Sequence, residues 1–241
     1  MGRDAGVQLM ISGAIMHGAF NSERGRAMPG ILDAIGRDNI REYLSGFAVI
    51  EDWMKEGSWA TAKRAWTFGI EQRSTHHFVL QDDVIICRDF LLGLYELIKV
   101  KPDEIICLMP FSRKPFKGNN GKNRWGVAEG VWGQGILMPT PMVADFLVWE
   151  QKHIRPDFKH DDSRISLYCV QNNRKVWIPF PTLLDHADLE MKSLMGHKWK
   201  EPRVSPDFLE DRSPLDFSWE ETEPPLKSIN SYTYFNKWLI K

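Results

Sequence analysis

Short apolar segments alternate with amphipathic helical segments along most of this chain, and two of the apolar segments run directly into acids. Strands are expected over 7–15, 47–50, 77–80, 105–109, 135–138 and 176–178. Between them, Met28, Ile31, Leu32 and Ile35 recur at helical spacing behind Pro29, which suits a first helical turn. Ser58 is expected to cap a helix over 59–70, with Trp59, Ala62, Trp66 and Ile70 on one face. Asp89 is expected to cap another, with Phe90, Leu91, Leu94 and Ile98 together, and a further helix is expected over 141–154. Strands separated by helices of this length predict an α/β chain: a single Rossmann-like, mostly parallel sheet flanked by helices.

In such folds ligands sit at the carboxyl ends of the strands, so what each strand ends with matters most. The first ends near His17, with Arg24 and Arg26 on the following loop; the second ends at Glu51-Asp52, and the third at Gln81-Asp82-Asp83. Acids delivered to one rim repel unless something positive lies between them. A divalent cation suits them, since hard oxygens bind Mg²⁺ or Mn²⁺ and those ions also hold diphosphates. Arg24, Arg26, Lys63 and Arg64 are cations of the kind a diphosphate needs. The competing reading of Asp82-Asp83 is an ordinary strand-to-helix turn.

Composition narrows the possibilities. The 241 residues are 43% hydrophobic and 26% charged, which excludes a disordered or collagen-like chain and suggests one large domain. No run approaches the roughly 18 apolar residues a membrane span needs. The first residues, Met1-Gly2-Arg3-Asp4, resemble no signal region, and Cys87, Cys107 and Cys169 are too few for a disulfide framework. A soluble protein of a reducing compartment, the cytoplasm, is expected.

The run His77-Phe78-Val79-Leu80-Gln81-Asp82-Asp83-Val84 resembles the acidic DxD signature of glycosyltransferases with the A-type fold. The Trp59 to Trp66 helix, Thr75-His76-His77, and Trp177-Ile178-Pro179-Phe180-Pro181-Thr182-Leu183-Leu184-Asp185-His186 extend that likeness to small glycosyltransferases of actinobacteria and their phages. The chain departs from the pattern in having Gln81 where a first acid is usual. The resemblance implies metal-dependent transfer of a sugar from a nucleotide-diphosphate sugar to a hydroxyl. It implies that Asp83 and His186 hold Mn²⁺ or Mg²⁺, and that Asp82 meets the ribose or a metal-bound water. Asp52 reads base or ribose, and Lys63 or Arg64 meets a phosphate. His17 and Arg24 complete the expected nucleotide-binding set. His160-Asp161-Asp162 opens a helix, where capping is one reading and a catalytic base the other. In inverting enzymes of this type an acid at a helix start takes the acceptor proton; Asp162 is chosen narrowly over Asp161.

The expected layout is a catalytic domain over 1–200, with a nucleotide-binding half to about 110 and an acceptor half beyond it. An acidic, Pro-rich extension over 201–241 packs against that domain. Between Glu201 and Pro225 lie eight acids, two bases and five prolines. Net charge is −1, so nothing global favours nucleic acid. Locally, Arg113, Lys114, Lys117, Lys122 and Arg124 sit in one acid-free run with Phe116 and Trp125. If the phage likeness holds, the acceptor is a hydroxymethylated base in phage DNA, reached by that run, or a hydroxyl on a virion protein, and the location is the host cytoplasm. His197, within Met195-Gly196-His197-Lys198-Trp199, is a candidate lid residue. Two other classes compete: a non-catalytic nucleotide- or carbohydrate-binding protein, and a metal-dependent phosphohydrolase.

Overall fold

The computed structural model describes residues 8–22, 24–26, 28–37, 44–110, 125–187, 204–222, 224–227 and 233–240. The cationic run (Arg113, Lys114, Lys117, Lys122, Arg124) and His197 lie outside the described residues.

The strands are β1 (Ile11–His17), β2 (Leu44–Glu51), β3 (His76–Gln81), β4 (Val84–Ile86), β5 (Ile105–Cys107), β6 (Trp125–Ala128), β7 (Gly135–Pro139), β8 (Val176–Pro179), β9 (Leu184–His186) and β10 (Leu226–Lys227). The helices are α1 (Met28–Arg37), α2 (Ser58–Glu71), α3 (Phe90–Val100), α4 (Thr140–His153) and α5 (Asp161–Gln171). Eight strands form one sheet in the order β10-β6-β8-β5-β7-β3-β1-β2, and β4 and β9 pair as a small second sheet. The pairings make β1, β2, β3, β5 and β8 run one way and β6, β7 and β10 the other. The expected mostly parallel α/β sheet is therefore present, with antiparallel β7 inserted between β3 and β5.

Period-2 alternation sends each strand's side chains to two cores. Ile11, Ile15, Phe78, Leu80, Ile106 and Leu137 pack with Ile31 of α1 and Phe90, Leu94 and Ile98 of α3. Ala14, Met16, Val79, Cys107, Ile136 and Met138 pack with Ala62 and Trp66 of α2, Phe146 of α4 and Ile165 of α5. The adjacent histidines obey the same rule and are structural. His76 Nε2 meets the Pro102 carbonyl at 2.7 Å. On the other face His77 Nε2 donates to the Ala65 carbonyl at 3.0 Å, leaving Nδ1 to accept from Ser12 at 2.7 Å. Burial pushes His77 down to about 4 from an ordinary value of 6.5. A depressed histidine takes up its proton in the unfolded chain first, so stability is lost as pH falls from 6.5 towards 4. We expect a loss on the order of 3 kcal/mol across that window. Denaturant midpoints should show a shallower fall between pH 6.5 and 4 for His77→Gln than for the parent chain.

Two expected caps are not used as caps. The N-cap of α2 is Gly57, not Ser58, and the Ser58 hydroxyl instead donates to the Lys159 carbonyl at 2.9 Å. Asp89 does stand at the start of α3, but in a left-handed conformation with φ 54°, and its carboxylate accepts from Ser213 at 2.7 Å rather than from the helix. Tertiary contacts outbid local capping in both places.

The acidic segment docks through its aromatics. Trp219 is 3% exposed and its carbonyl accepts from the Trp125 indole at 2.7 Å, while β10 lies parallel to β6 at the sheet edge. Lys101 lies 3.6 Å over the Trp177 ring and pairs with Glu221 at 2.5 Å. Nearer the C-terminus, Trp238 stacks on Phe158 with centroids 4.7 Å apart. Trp219→Ala should cost about 3 kcal/mol, read as a lowered urea midpoint.

Candidate active site

Strand order places β2 and β3 on opposite sides of β1, parallel to it, so all three carboxyl ends meet at one rim, the position where open α/β sheets bind ligands. Asp82 and Asp83 follow β3 there, 0% and 2% exposed. Buried carboxylates need donors, and Asp82 has three among the described residues. They are His17 Nδ1–H at 2.8 Å, the Gly18 amide at 2.8 Å and the Arg24 guanidinium. Arg24 also reaches Asp83 Oδ2 at 3.2 Å, so one cation bridges the two acids. The positive charge that the acid pair demands is thus supplied in part from within the chain, by the loop after β1.

His186 arrives by a route invisible in local sequence. The β4–β9 ladder sets Val84 opposite His186, and the Ala187 amide donates to the Asp83 carbonyl at 2.9 Å. This leaves His186 Nε2 buried, without a hydrogen-bond partner among the described residues and 3.5 Å from Asp83 Oδ2. Asp185 is a turn former: its carboxylate accepts from the amides of His186 and Ser205 at 2.8 and 2.6 Å. An imidazole nitrogen and a carboxylate oxygen so close can share one ion, and that donor pair suits Mn²⁺ better than Mg²⁺. Among the described residues no group of three His, Cys, Asp or Glu gathers. The remaining ligands of such an ion would have to be phosphate oxygens and water.

Other predicted residues sit apart from the acid pair. Asp52 reaches the same rim, where its amide donates to the His17 carbonyl at 2.8 Å. Its carboxylate, however, accepts from the Glu56 and Gly57 amides at 3.0 and 3.3 Å and so shapes its own loop, with Gly57 at φ 104°. Lys63 lies 3.9 Å from Glu150 on α4, and Arg64 engages the Glu51 carbonyl and Glu56 at 3.1 and 3.2 Å. Neither touches Asp82 or Asp83; each answers an acid of its own.

The second acid pair opens α5. Its helix is held by Arg164, wholly buried, which donates to Glu150 and to the carbonyls of Arg155 and Phe158. Asp161 faces Gln81 and Ser58, and a Cβ on Gly133 would stand 2.6 Å from Gln81 Nε2 and 3.4 Å from Asp161 Oδ2. Asp162 turns back on its own helix, accepting from the Ser163 amide at 2.6 Å and hydroxyl at 3.1 Å. Burial raises both carboxyls, and the neighbouring Asp161 charge adds to burial in pushing Asp162 up to about 7. Asp161 is therefore the member of the pair directed at the end of β3, whereas the sequence narrowly favours Asp162.

Gln134 and Ser58 join the site without a sequence signal for it. Gln134 precedes β7, which runs antiparallel, so the start of that strand and not its end lies beside the end of β3: Leu80 pairs with Gly135, and the Gln81 amide donates to the Gln134 carbonyl at 3.0 Å. Attention to strand ends alone misses it; Gly133 and Gly135 flanking Gln134 were the available hint.

No family model matches the chain, and no curated protein matches it. Among solved structures, residues 1–349 of TarS from S. aureus align at 8% identity with a TM-score of 0.49, covering 70% of this chain and 58% of that one. The same protein in complex with UDP gives 8% and 0.47, over 70% and 57%. The mannosyltransferase PcManGT from Pyrobaculum calidifontis, in complex with GDP-Man and Mn²⁺, gives 10% and 0.44, over 69% and 53%. The chain thus spans less than two thirds of the length of each, and likeness of this degree assigns it neither substrate nor activity. Among the described residues no helix is long and apolar enough to cross a membrane.

Proposed function

We propose that this chain is a glycosyltransferase, moving a sugar from a nucleotide-diphosphate sugar to a hydroxyl acceptor. The observation that supports it best is the pairing of two acid sites across one rim. Asp82-Asp83, with Arg24, His17 and His186, form a buried polar cluster at the carboxyl end of β3. Asp161-Asp162 stand at the N-terminus of α5, with Asp161 against Gln81 of the same strand.

Asp83 and His186 would hold Mn²⁺ or Mg²⁺. When bound, that ion offsets the charge developing on the leaving diphosphate. Arg24, already between the two carboxylates, is placed to exchange a carboxylate for a phosphate oxygen, as guanidinium binds both bidentately. His17 and the Gly18 amide keep Asp82 oriented while Arg24 does so. Asp162 or Asp161 takes the proton of the attacking hydroxyl, on the face opposite the leaving group, which makes the reaction inverting. Asp52, on the loop tied to His17, would meet the ribose or base.

The acceptor is a hydroxyl compound, and the acid-free cationic run at 113–124 favours a polyanion such as hydroxymethylated phage DNA over a virion protein. Binding to a DNA duplex that weakens steeply between 50 and 200 mM salt, and less steeply in Lys117→Ala/Lys122→Ala, is the expected outcome; a flat salt dependence removes DNA from consideration.

The activity is tested by a thermal-shift screen of UDP, GDP and their sugar derivatives with MnCl₂ or EDTA. Saturating nucleotide should raise Tm by about 5–10 °C in Mn²⁺, and EDTA should abolish the gain. Released diphosphate is then measured with and without acceptor. Acceptor-dependent release supports transfer, inorganic phosphate without acceptor indicates a phosphohydrolase, and binding with no product indicates a binding protein.

A further inference from the structure

Between the acid pair and Asp161 lies a short relay of amides whose polarity is determined by its carboxylate end. A carboxylate only accepts hydrogen bonds, so Gln81 must turn its Nε2 towards Asp161. Its Oε1 then faces Gln134, whose Nε2 donates to it at 3.5 Å. Gln134 is left with Oε1 directed elsewhere, and that oxygen is buried with no hydrogen-bond partner among the described residues, in a residue 4% exposed. A buried amide oxygen without a donor costs about 1–3 kcal/mol, a cost that the donor group of a ligand would relieve. Gly133 preserves the arrangement, because a Cβ there would stand 2.6 Å from Gln81 Nε2.

We propose that Gln134 is a specificity residue that accepts a hydrogen bond from a hydroxyl of the transferred sugar, with Gln81 as the positioning residue that orients it. This rests on the glycosyl-transfer reading and adds the part of the donor that is read. The occupant must be a donor, because the vacant partner is an acceptor. It must be neutral to suit an amide, which favours a hydroxyl over an ammonium. We assign it to the sugar because Gln81 stands between the acids that would hold the diphosphate, Asp82-Asp83, and Asp161, the candidate base for the acceptor. The same placement explains why an amide stands at 81 where the acidic signature has a carboxylate: an acid there would face Asp161 across Gly133 and repel it.

The test is calorimetric titration of the full chain, in MnCl₂, with UDP, GDP, UDP-glucose, UDP-galactose, UDP-N-acetylglucosamine and GDP-mannose. Parent chain, Gln134→Met and Gln134→Asn are compared after their Tm values confirm folding; the first keeps the volume and removes the acceptor, the second keeps the amide and shortens its reach. In the parent, one sugar nucleotide should bind more tightly than its own diphosphate. In both variants that advantage should shrink about tenfold while affinity for the diphosphate stays unchanged. An advantage that survives both substitutions overturns the assignment to Gln134 alone, as does an equal loss for sugar nucleotide and diphosphate. If no nucleotide binds the parent chain, the transferase reading itself fails and this inference fails with it.

Discussion

Asp83→Asn should lower sugar transfer by about a thousandfold or more, with little change in stability. Asparagine keeps the shape of the side chain and removes its charge, so the packing around a residue 2% exposed is retained. What disappears is one of the two anionic partners of Arg24 and the carboxylate 3.5 Å from His186. The neighbouring acid should behave differently. Asp82 is fully buried and takes three donors, so Asp82→Asn removes the charge that His17, Gly18 and Arg24 all address. There we expect a loss of stability of about 3 kcal/mol along with activity, because three donors lose the buried charge they address and Arg24 keeps only its longer contact to Asp83. The two variants are separated by measuring Tm and diphosphate release on the same preparations. An Asp83→Asn chain that retains transfer within threefold of the parent would falsify the site.

Asp161→Asn and Asp162→Asn should each leave nucleotide binding intact, and one of them should reduce kcat by a factor of about 10² to 10⁴. The larger loss identifies the residue that takes the acceptor proton. Asp161 has the better position, against Gln81, whereas Asp162 has the carboxyl raised to about 7. A base must be ionised to work, so with Asp162 in that role kcat rises with pH through about 7 and levels off above it. Stability should move the opposite way. A carboxyl whose folded value lies above its ordinary 3.8 holds its proton better in the folded chain, so stability is greatest at low pH on this account and is lost as pH rises from about 4 to 7. Asp162→Asn should remove that part of the slope. A kcat profile flat between pH 5.5 and 8.5 in the parent, with both Asn variants active, would leave the pair with a capping role only.

Much of the layout was legible because strand and helix periodicities are local properties. The segments that became β1, β2, β3, β7, α1, α2, α3 and α4 are apolar at intervals that only one secondary structure buries well. Acids after β2 and β3 were legible for the same reason, since the end of a buried strand is the end of its apolar run. Elements that depend on a distant partner were not. The three-residue strands β4 and β9 exist because they pair with each other, 98 to 102 positions apart along the ladder, and β10 because it borrows the edge of β6. Ser58 and Asp89 carry the right side chains for caps, yet their oxygens are taken by Lys159 and Ser213, partners no local pattern announces.

Sequence by itself determined that this chain alternates strand and helix and that carboxylates close its second and third strands, because hydrophobic spacing is written residue by residue. Only the tertiary structure decided what those carboxylates face. It placed Arg24 between Asp82 and Asp83, diverted Lys63 to Glu150, turned Asp52 onto its own loop and reversed β7 so that Gln134 meets Gln81. The physical reason is that a charge or an amide is satisfied by whichever partner comes within about 3 Å, and proximity between residues far apart in the chain is a property of strand order and direction.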